Sequence, residues 1–491
     1  MVRVLFVYHN EIEESFMPLS LASLGGAAKE EGVETKLFDS SFWRDKNSDV
    51  VESDRQVRER TGEYKRVEGY NPQRETVDIK DRFMQAVIDF KPDLIAATST
   101  SYEFRSLVDI VSEAKRRFKI PLIVGGPHTT VSPEKSFERP EVDMICIGEG
   151  EVAFAELLKR MKQQKNYSDI PNLWIRTPDG HIIKNGLGAL LNMDDLPEPD
   201  WDLFDERHRQ RPFEGQLMNY GFFELSRGCP NKCSYCINAG KTAVYKASGI
   251  DSRGFRFHTP KEAVRRMEKY KARYNFNHVT FIDDNLSVMP LEDLNCLADL
   301  YREKVGIKFF AMSRPEPLIA NPRKVEIFAK MGCKMIALGA ESGNEKLRRE
   351  ILNRPMKDGI LEKSAEIIKK NGIKLCLFNV IGFPTETLEM IFETIELNRR
   401  IQPDSHSVRF LHPYPGTSIR EYCLARGYIT PDYEESIKAS FLVEPILNLP
   451  SPPHPTKQQL MHIKHNFGKY IRMPQTEYKE ARAEQLKASQ T

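Results

Sequence analysis

Cys229, Cys233 and Cys236 gather three of the chain's eight cysteines into Arg227-Gly228-Cys229-Pro230-Asn231-Lys232-Cys233-Ser234-Tyr235-Cys236, spaced Cys-x3-Cys-x2-Cys. Soft thiolates suit iron–sulfur centres, and three on one short loop can hold three irons of a [4Fe–4S] cube. The fourth iron is then open to a substrate or cofactor. A structural zinc ion would need a fourth ligand, and His208 and His258 flank the loop, so counting alone leaves zinc as the alternative. Cys146, Cys296, Cys333, Cys376 and Cys423 are scattered singly, which suits a reducing compartment better than a disulfide framework.

Two series of alternating strands and helices surround this loop. In the first, apolar runs predict strands over 2–8, 33–38, 93–98, 121–124 and 142–147, and amphipathic periodicity predicts helices over 19–31, 79–89, 105–118 and 151–162. That order implies a doubly wound, Rossmann-like parallel sheet over residues 1–165, interrupted by a charged insertion near 43–76. Ligands of such sheets lie beyond the carboxyl ends of the strands, which draws attention to loops 9–18, 99–104 and 125–130. Gly125-Gly126 lets backbone approach a ligand closely, with His128, Thr129 and Thr130 as polar groups after it. Gly148-Glu149-Gly150-Glu151 opens a helix, but no Gly-x-Gly-x-x-Gly dinucleotide signature occurs.

A turn at Thr177-Pro178-Asp179-Gly180 predicts a hairpin, and Asp194, Asp195, Pro197 and Pro199 mark an interdomain linker, so 166–215 reads as a connection. Six βα-like units follow over 216–425. Their strands are expected at 222–226, 278–282, 308–311, 335–338, 374–381 and 405–411, with helices at 260–273, 291–301, 322–331, 358–370 and 387–400. Six units make an open, partial (β/α)6 barrel, whose site belongs at the carboxyl ends of its strands. Polar groups recur there: Asp283-Asp284-Asn285, Ser313-Arg314 and Glu341-Ser342-Gly343. Residues 426–491 form a mostly helical extension, with a helix expected over 456–470.

Composition narrows the class. A chain of 491 residues implies two or three domains. Its 40% hydrophobic and 29% charged content is that of a globular protein. The 72 basic and 70 acidic residues nearly cancel, which argues against a nucleic-acid partner. No apolar run approaches the ~20 residues of a membrane span, and the first residues turn acidic where a signal peptide is still apolar, so a cytoplasmic protein is expected.

The cysteine trio, with aromatic Tyr235 before its last member, resembles the cluster motif of radical S-adenosylmethionine (SAM) enzymes. Gly339-Ala340-Glu341-Ser342-Gly343, Asn379-Val380-Ile381-Gly382-Phe383-Pro384 and His412-Pro413-Tyr414-Pro415-Gly416-Thr417 resemble later segments of that family, in its order. The resemblance implies that the open iron chelates SAM and that reductive cleavage yields a 5′-deoxyadenosyl radical. It places Tyr235, Asn379 and Gly382 near adenine, Glu341 and Ser342 at the methionyl and ribose portions, and Arg314 at the SAM carboxylate.

The segments 121–129 and 142–151 resemble the cobalamin-binding domain that precedes many radical SAM domains. By that likeness Ser99, Thr100, Ser101, Gly125, Gly126, His128 and Thr129 form the wall of the nucleotide-tail pocket. The Asp-x-His-x-x-Gly pattern is absent before residue 165, so the cobalt's lower face is expected to lack a protein histidine. The pair of domains resembles cobalamin-dependent radical SAM methyltransferases, which implies methyl transfer from SAM through methylcobalamin to an unactivated carbon. Cobalamin-dependent cyclases and oxidoreductases share the architecture, and a radical SAM enzyme modifying RNA or protein with a cofactor-free first domain is the third reading. The implied partners are a low-potential donor such as flavodoxin or ferredoxin and a small-molecule, lipid-like or peptide substrate. No catalytic acid or base, and no oligomeric state, is read from these residues.

Overall fold

The computed structural model describes residues 1–10, 17–47, 75–250, 256–433 and 444–488, with isolated positions between 59 and 70. Most of the charged insertion, part of the 9–18 loop and the apolar residues 441–443 therefore lie outside the described residues.

The first sheet has seven strands in the order Glu34–Asp39, Arg3–Tyr8, Leu94–Thr98, Leu122–Gly125, Met144–Cys146, Leu173–Arg176, Ile182–Lys184. The first five are parallel. Alternation along Arg3–Tyr8 shows why both faces are covered: Leu5 and Val7 enter one apolar cluster, Val4, Phe6 and Tyr8 the other. The hairpin predicted near 177–180 is present, but it continues this sheet as two antiparallel strands, so the sheet is mixed.

Residues 191–208 pack tightly rather than spanning loosely. Asn192, Asp200 and Asp205 each cap a short 3₁₀ turn by accepting a backbone N–H two residues ahead. Trp201 is buried against Tyr270 and Tyr274, at ring distances of 4.7 and 5.2 Å. The segment approaches helix Leu19–Glu30 so closely that a Cβ on Gly26 would fall 2.0 Å from Glu198 O.

The second sheet runs Gln210–Phe213, Gln216–Phe223, His278–Phe281, Phe309–Ser313, Cys333–Glu341, Lys374–Ile381, Ser405–Phe410. Its first pair is an antiparallel hairpin turned at Glu214-Gly215, both with positive φ. From Gln216–Phe223 onward the strands are parallel and in chain order. Among the described residues the last strand does not pair back to the first, which leaves a half-barrel. Met335, Ala337 and Cys376 fill its inner face with Phe310, Met312 and Phe378, while Ile336, Leu338, Leu375 and Leu377 face the helices. Helices Lys457–Arg472 and Gln475–Ala488 close the chain. No described helix is long and apolar enough to cross a membrane.

Candidate functional site

The cysteine loop begins where the first parallel strand of the half-barrel ends. Ser226–Arg227 pairs with Arg256–Phe257, and Asp283 anchors the loop's base by accepting from Leu225 N at 3.2 Å and from the Ser226 hydroxyl. Burial pushes the Asp283 carboxyl up to about 7. On the far side Ser234 N donates to Leu352 O at 3.0 Å and Ser234 Oγ to Ile351 O at 2.6 Å. Cys233 is buried; Cys229 and Cys236 are half-buried. Burial raises the Cys236 thiol to about 11, so an electropositive ligand is needed to make it a thiolate.

Zinc does not fit. His208 is held by Asp39 at 2.5 Å and His258 by Asp194 at 3.0 Å. Among the described residues no three His, Cys, Asp or Glu side chains converge as ligands of one metal ion. A cube spreads its thiolates over three corners, which is the arrangement a short loop of three thiols can serve.

Around this loop the mouth of the half-barrel concentrates charge. Glu341 adopts φ +60 at the end of its strand and accepts a hydrogen bond from the Tyr235 side chain. A Cβ on Gly339 would lie 2.4 Å from Glu341 Oε1 and 3.5 Å from Arg354 Nη2, so glycine there makes the room. Desolvation pushes the Glu341 carboxyl above its ordinary value against the pull of Arg354 and Arg314. Arg354 is 3% exposed, donates from Nη2 to Gly339 O at 2.6 Å, and leaves its buried Nε without a hydrogen-bond partner. Arg314 donates from Nη1 to Cys233 Sγ at 3.2 Å and grips Glu316 through Nε and Nη2 at 3.2 and 2.5 Å.

Other predicted residues are placed differently. Ser342 is buried, with its Oγ accepting from Asn344 N at 3.2 Å. Asn379 points between its strand and the helix behind it: Oδ1 accepts from Asn398 Nδ2 at 2.8 Å, and its amide reaches Ser407 O at 3.3 Å. Strand alternation explains this, since Asn379 shares a face with Leu375 and Leu377 while Cys376 and Phe378 face inward. Gly382, at φ +82, donates its N–H to Glu386 Oε2 at 2.6 Å, and Phe383 N does so at 3.2 Å. Glu386 is wholly buried and pushed up to about 8 by that burial.

Between the two sheets lies a cavity of about 390 Å³. Its first wall combines the glycine-rich carboxyl ends of the first sheet's strands, Thr98, Gly125, Gly126, Cys146, Gly148 and Gly150, with the side chains of Leu24, Phe154, Glu149 and Glu151. The opposite wall comes from the cysteine loop and the helix after it, including Arg227, Cys229, Lys241, Thr242 and Tyr245. Four glycines in one wall leave a cradle that Cβ atoms would narrow, which fits a bulky ligand approached by backbone. Ser99, Ser101, His128 and Thr129 stand behind this wall. His128 pairs with Ser101 Oγ at 3.0 Å and stacks on Phe104 at 4.2 Å, and Thr129 donates to Cys146 O at 2.9 Å. Burial lowers His128 to about 4, so the ring is neutral. Thr100 is exposed and donates to Glu103 Oε2 at 2.9 Å.

An ion-paired seam joins the two walls. Arg227 contacts Glu151 at 2.8 Å, Glu224 at 2.9 Å and Glu149 at 3.2 Å; Arg256 also grips Glu149, and Ser23 donates to Glu151 at 3.1 Å. Arg354 and this seam escape sequence reading because their partners are distant in the chain, whereas Glu316 and Glu386 answer to near neighbours, Arg314 and the Gly382 and Phe383 N–H groups, and stand outside the motifs that the sequence marks. The one available signal is Arg227 beside the first cysteine.

Residues 223–397 match the radical SAM superfamily and residues 7–158 match the B12 binding domain. The chain therefore joins a cobalamin-binding domain to a radical SAM domain, the architecture of cobalamin-dependent radical SAM enzymes. Its cofactors are a [4Fe–4S] cluster, SAM and cobalamin. It is similar to an uncharacterized methyltransferase of Pyrococcus horikoshii, 24% identical over 69% of this chain and 71% of that one. It is also similar to the anaerobic magnesium-protoporphyrin IX monomethyl ester cyclase of Rubrivivax gelatinosus, 22% identical over 84% of this chain and 68% of that one. Among solved structures it matches the radical SAM methyltransferase TsrM of Kitasatospora setae, with TM-score 0.63 and 17% identity over 86% of this chain and 79% of that one.

Proposed function

We propose that the protein is a cobalamin-dependent radical SAM methyltransferase acting on an unactivated carbon. The observation that carries this reading is that Cys229 lines the same cavity as Gly125, Gly126 and Gly148, so the cluster loop and the cobalamin cradle face each other across it. When bound, the cluster and SAM supply radical hydrogen abstraction, and cobalamin supplies the methyl group. The chain's own part is positional: the three cysteines hold the cluster, the Arg227 seam fixes the loop against the cradle, and Tyr235 and Glu341 shape the mouth. The relatives named as methyltransferases support this reading.

A second cavity of about 440 Å³ opens at the ends of the last two strands, lined by Ile381, Phe410, Leu411, Tyr428, Leu447 and Leu460. Its apolar lining supports a substrate with substantial hydrocarbon surface. The reductant on this reading is a low-potential flavodoxin or ferredoxin, and the compartment is the reducing cytoplasm, in keeping with eight free cysteines.

The test is anaerobic turnover of candidate substrates with methyl-labelled SAM. Methyl transfer through this site requires S-adenosylhomocysteine and 5′-deoxyadenosine in equal amounts, with label in the product. 5′-Deoxyadenosine with an altered but unlabelled product would overturn methylation in favour of a cyclase or oxidoreductase, the reading that the Rubrivivax gelatinosus cyclase supports.

A further inference from the structure

We propose that Arg314 sets the reduction potential of the cluster held by Cys229, Cys233 and Cys236, acting as a positioning residue through the Cys233 thiolate. This rests on the reading that the three cysteines carry the cluster.

Arg314 follows Phe310 and Met312 on the inward face of its strand. Its main chain is pinned by Asn285 Oδ1, which accepts from Arg314 N at 3.2 Å and from Ser287 Oγ at 2.8 Å. The two-toothed edge of its guanidinium, Nε and Nη2, is spent on Glu316. Of the N–H groups that remain, one on Nη1 donates to Cys233 Sγ at 3.2 Å. An arginine clamps an incoming carboxylate through a side-on or an end-on pair of N–H groups; Arg314 has committed its side-on pair to an internal partner and its Nη1 to a thiol sulfur. Arg354, held by Gly339 O at 2.6 Å, adds a second buried positive charge that acts on the same cysteine.

The physical consequence follows from charge. A cluster held by these cysteines would carry one more negative charge once reduced by one electron from an external low-potential donor. An N–H donor on a ligand sulfur and a cation beside it stabilise the reduced form and raise the potential. Glu316 orients the guanidinium and partly neutralises it. The two residues therefore act on the potential with opposite sign, which a purely structural pair would not.

The experiment is potentiometry followed by electron paramagnetic resonance on the anaerobically reconstituted full chain, without SAM or substrate, with iron content measured alongside. Arg314→Gln should move the midpoint to more negative potential at unchanged iron content, Glu316→Gln should move it to more positive potential, and Arg314→Lys should lie between Arg314→Gln and the parent. A parent-like midpoint in Arg314→Gln, or shifts of the same sign in both charge-removing variants, overturns the proposal. So does a tenfold or greater loss of SAM affinity in Arg314→Gln with the midpoint unmoved, which would return the residue to the role of carboxylate clamp. If neither Arg314→Gln nor Arg314→Lys takes up iron, Arg314 is structural and the proposal falls. An iron-free parent protein would overturn the cluster reading itself, and this proposal with it.

Discussion

The two chambers of this protein are built from opposite materials. The cradle wall on the first sheet is glycine-rich, with apolar Leu24 and Phe154 beside the glycines, its two carboxylates, Glu149 and Glu151, tied to Arg227, and His128 neutral behind it and turned toward Ser101. The mouth of the half-barrel is crowded with side-chain charge: Arg314, Glu316, Glu341 and Arg354 surround the loop's buried cysteine. Backbone can hold a large ligand studded with amides without distinguishing its charge state. Buried ion pairs respond to each unit of charge that arrives. The division suits a protein in which one chamber stores a bulky cofactor and the other manages an electron.

That contrast can be broken experimentally. The largest expected effect is from Cys236→Ala, which should drop bound iron from about four per chain to near zero and abolish SAM cleavage, while cobalamin retention, read by visible absorbance, persists. Gly148→Val is the mirror test. Gly148 sits at φ +79, and a Cβ there would meet Tyr245 Oη at 2.5 Å, so cobalamin retention should fall at least tenfold with iron content kept. Loss of both cofactors in either variant would show that the chambers are not separable.

Smaller effects sharpen the seam. Glu151→Gln removes a charged partner of Arg227 at 2.8 Å and should cost about 1–3 kcal/mol in urea unfolding, since Glu149 and Glu224 still hold the guanidinium. The smallest effect is in pH dependence, where the chambers should oppose each other. Asp283 is raised from 3.8 to about 7 in the folded state; the folded protein binds the extra proton, so stability falls as pH rises between those values. His128 is lowered from 6.5 to about 4, so its contribution is present above pH 6.5 and is lost as pH falls toward 4. Asp283→Asn should flatten the decline as pH rises from 3.8 to about 7 by on the order of 1 kcal/mol, and His128→Gln should flatten the opposite loss as pH falls from 6.5 to about 4 by a similar amount.

Much of this arrangement was legible in the chain. The cysteine spacing located the loop, and the alternation of apolar runs located both sheets, with helix Glu151–Lys162 matching its expected limits. Helix Ile237–Ala247 was missed because Gly240 interrupts its pattern. That glycine is there for contact: a Cβ would fall 2.5 Å from Gly416 O. The hairpin at Glu214-Gly215 was missed because its first turn residue is neither Asn nor Asp, the usual choices at positive φ. Asn379 teaches a different lesson. A motif places a residue on a strand, but only the two-residue alternation says which face it occupies, and counting from Leu375 would have turned it toward the helices.

One feature of the half-barrel reaches beyond catalysis. Ser405–Phe410 is the last strand of the sheet, and helix Lys457–Arg472 packs on its outer face beside helix Leu388–Ile401, with Leu460, Ile463 and Phe467 against Ile381, Val408 and Phe410. The helix is started by a capping box in which Thr456 and Gln459 satisfy each other's backbone N–H groups. A contiguous apolar patch left exposed on a sheet face is an aggregation liability. Helix Lys457–Arg472 keeps that apolar face out of water, and shortening the chain before Thr456 should yield protein that precipitates before it loses its cofactors.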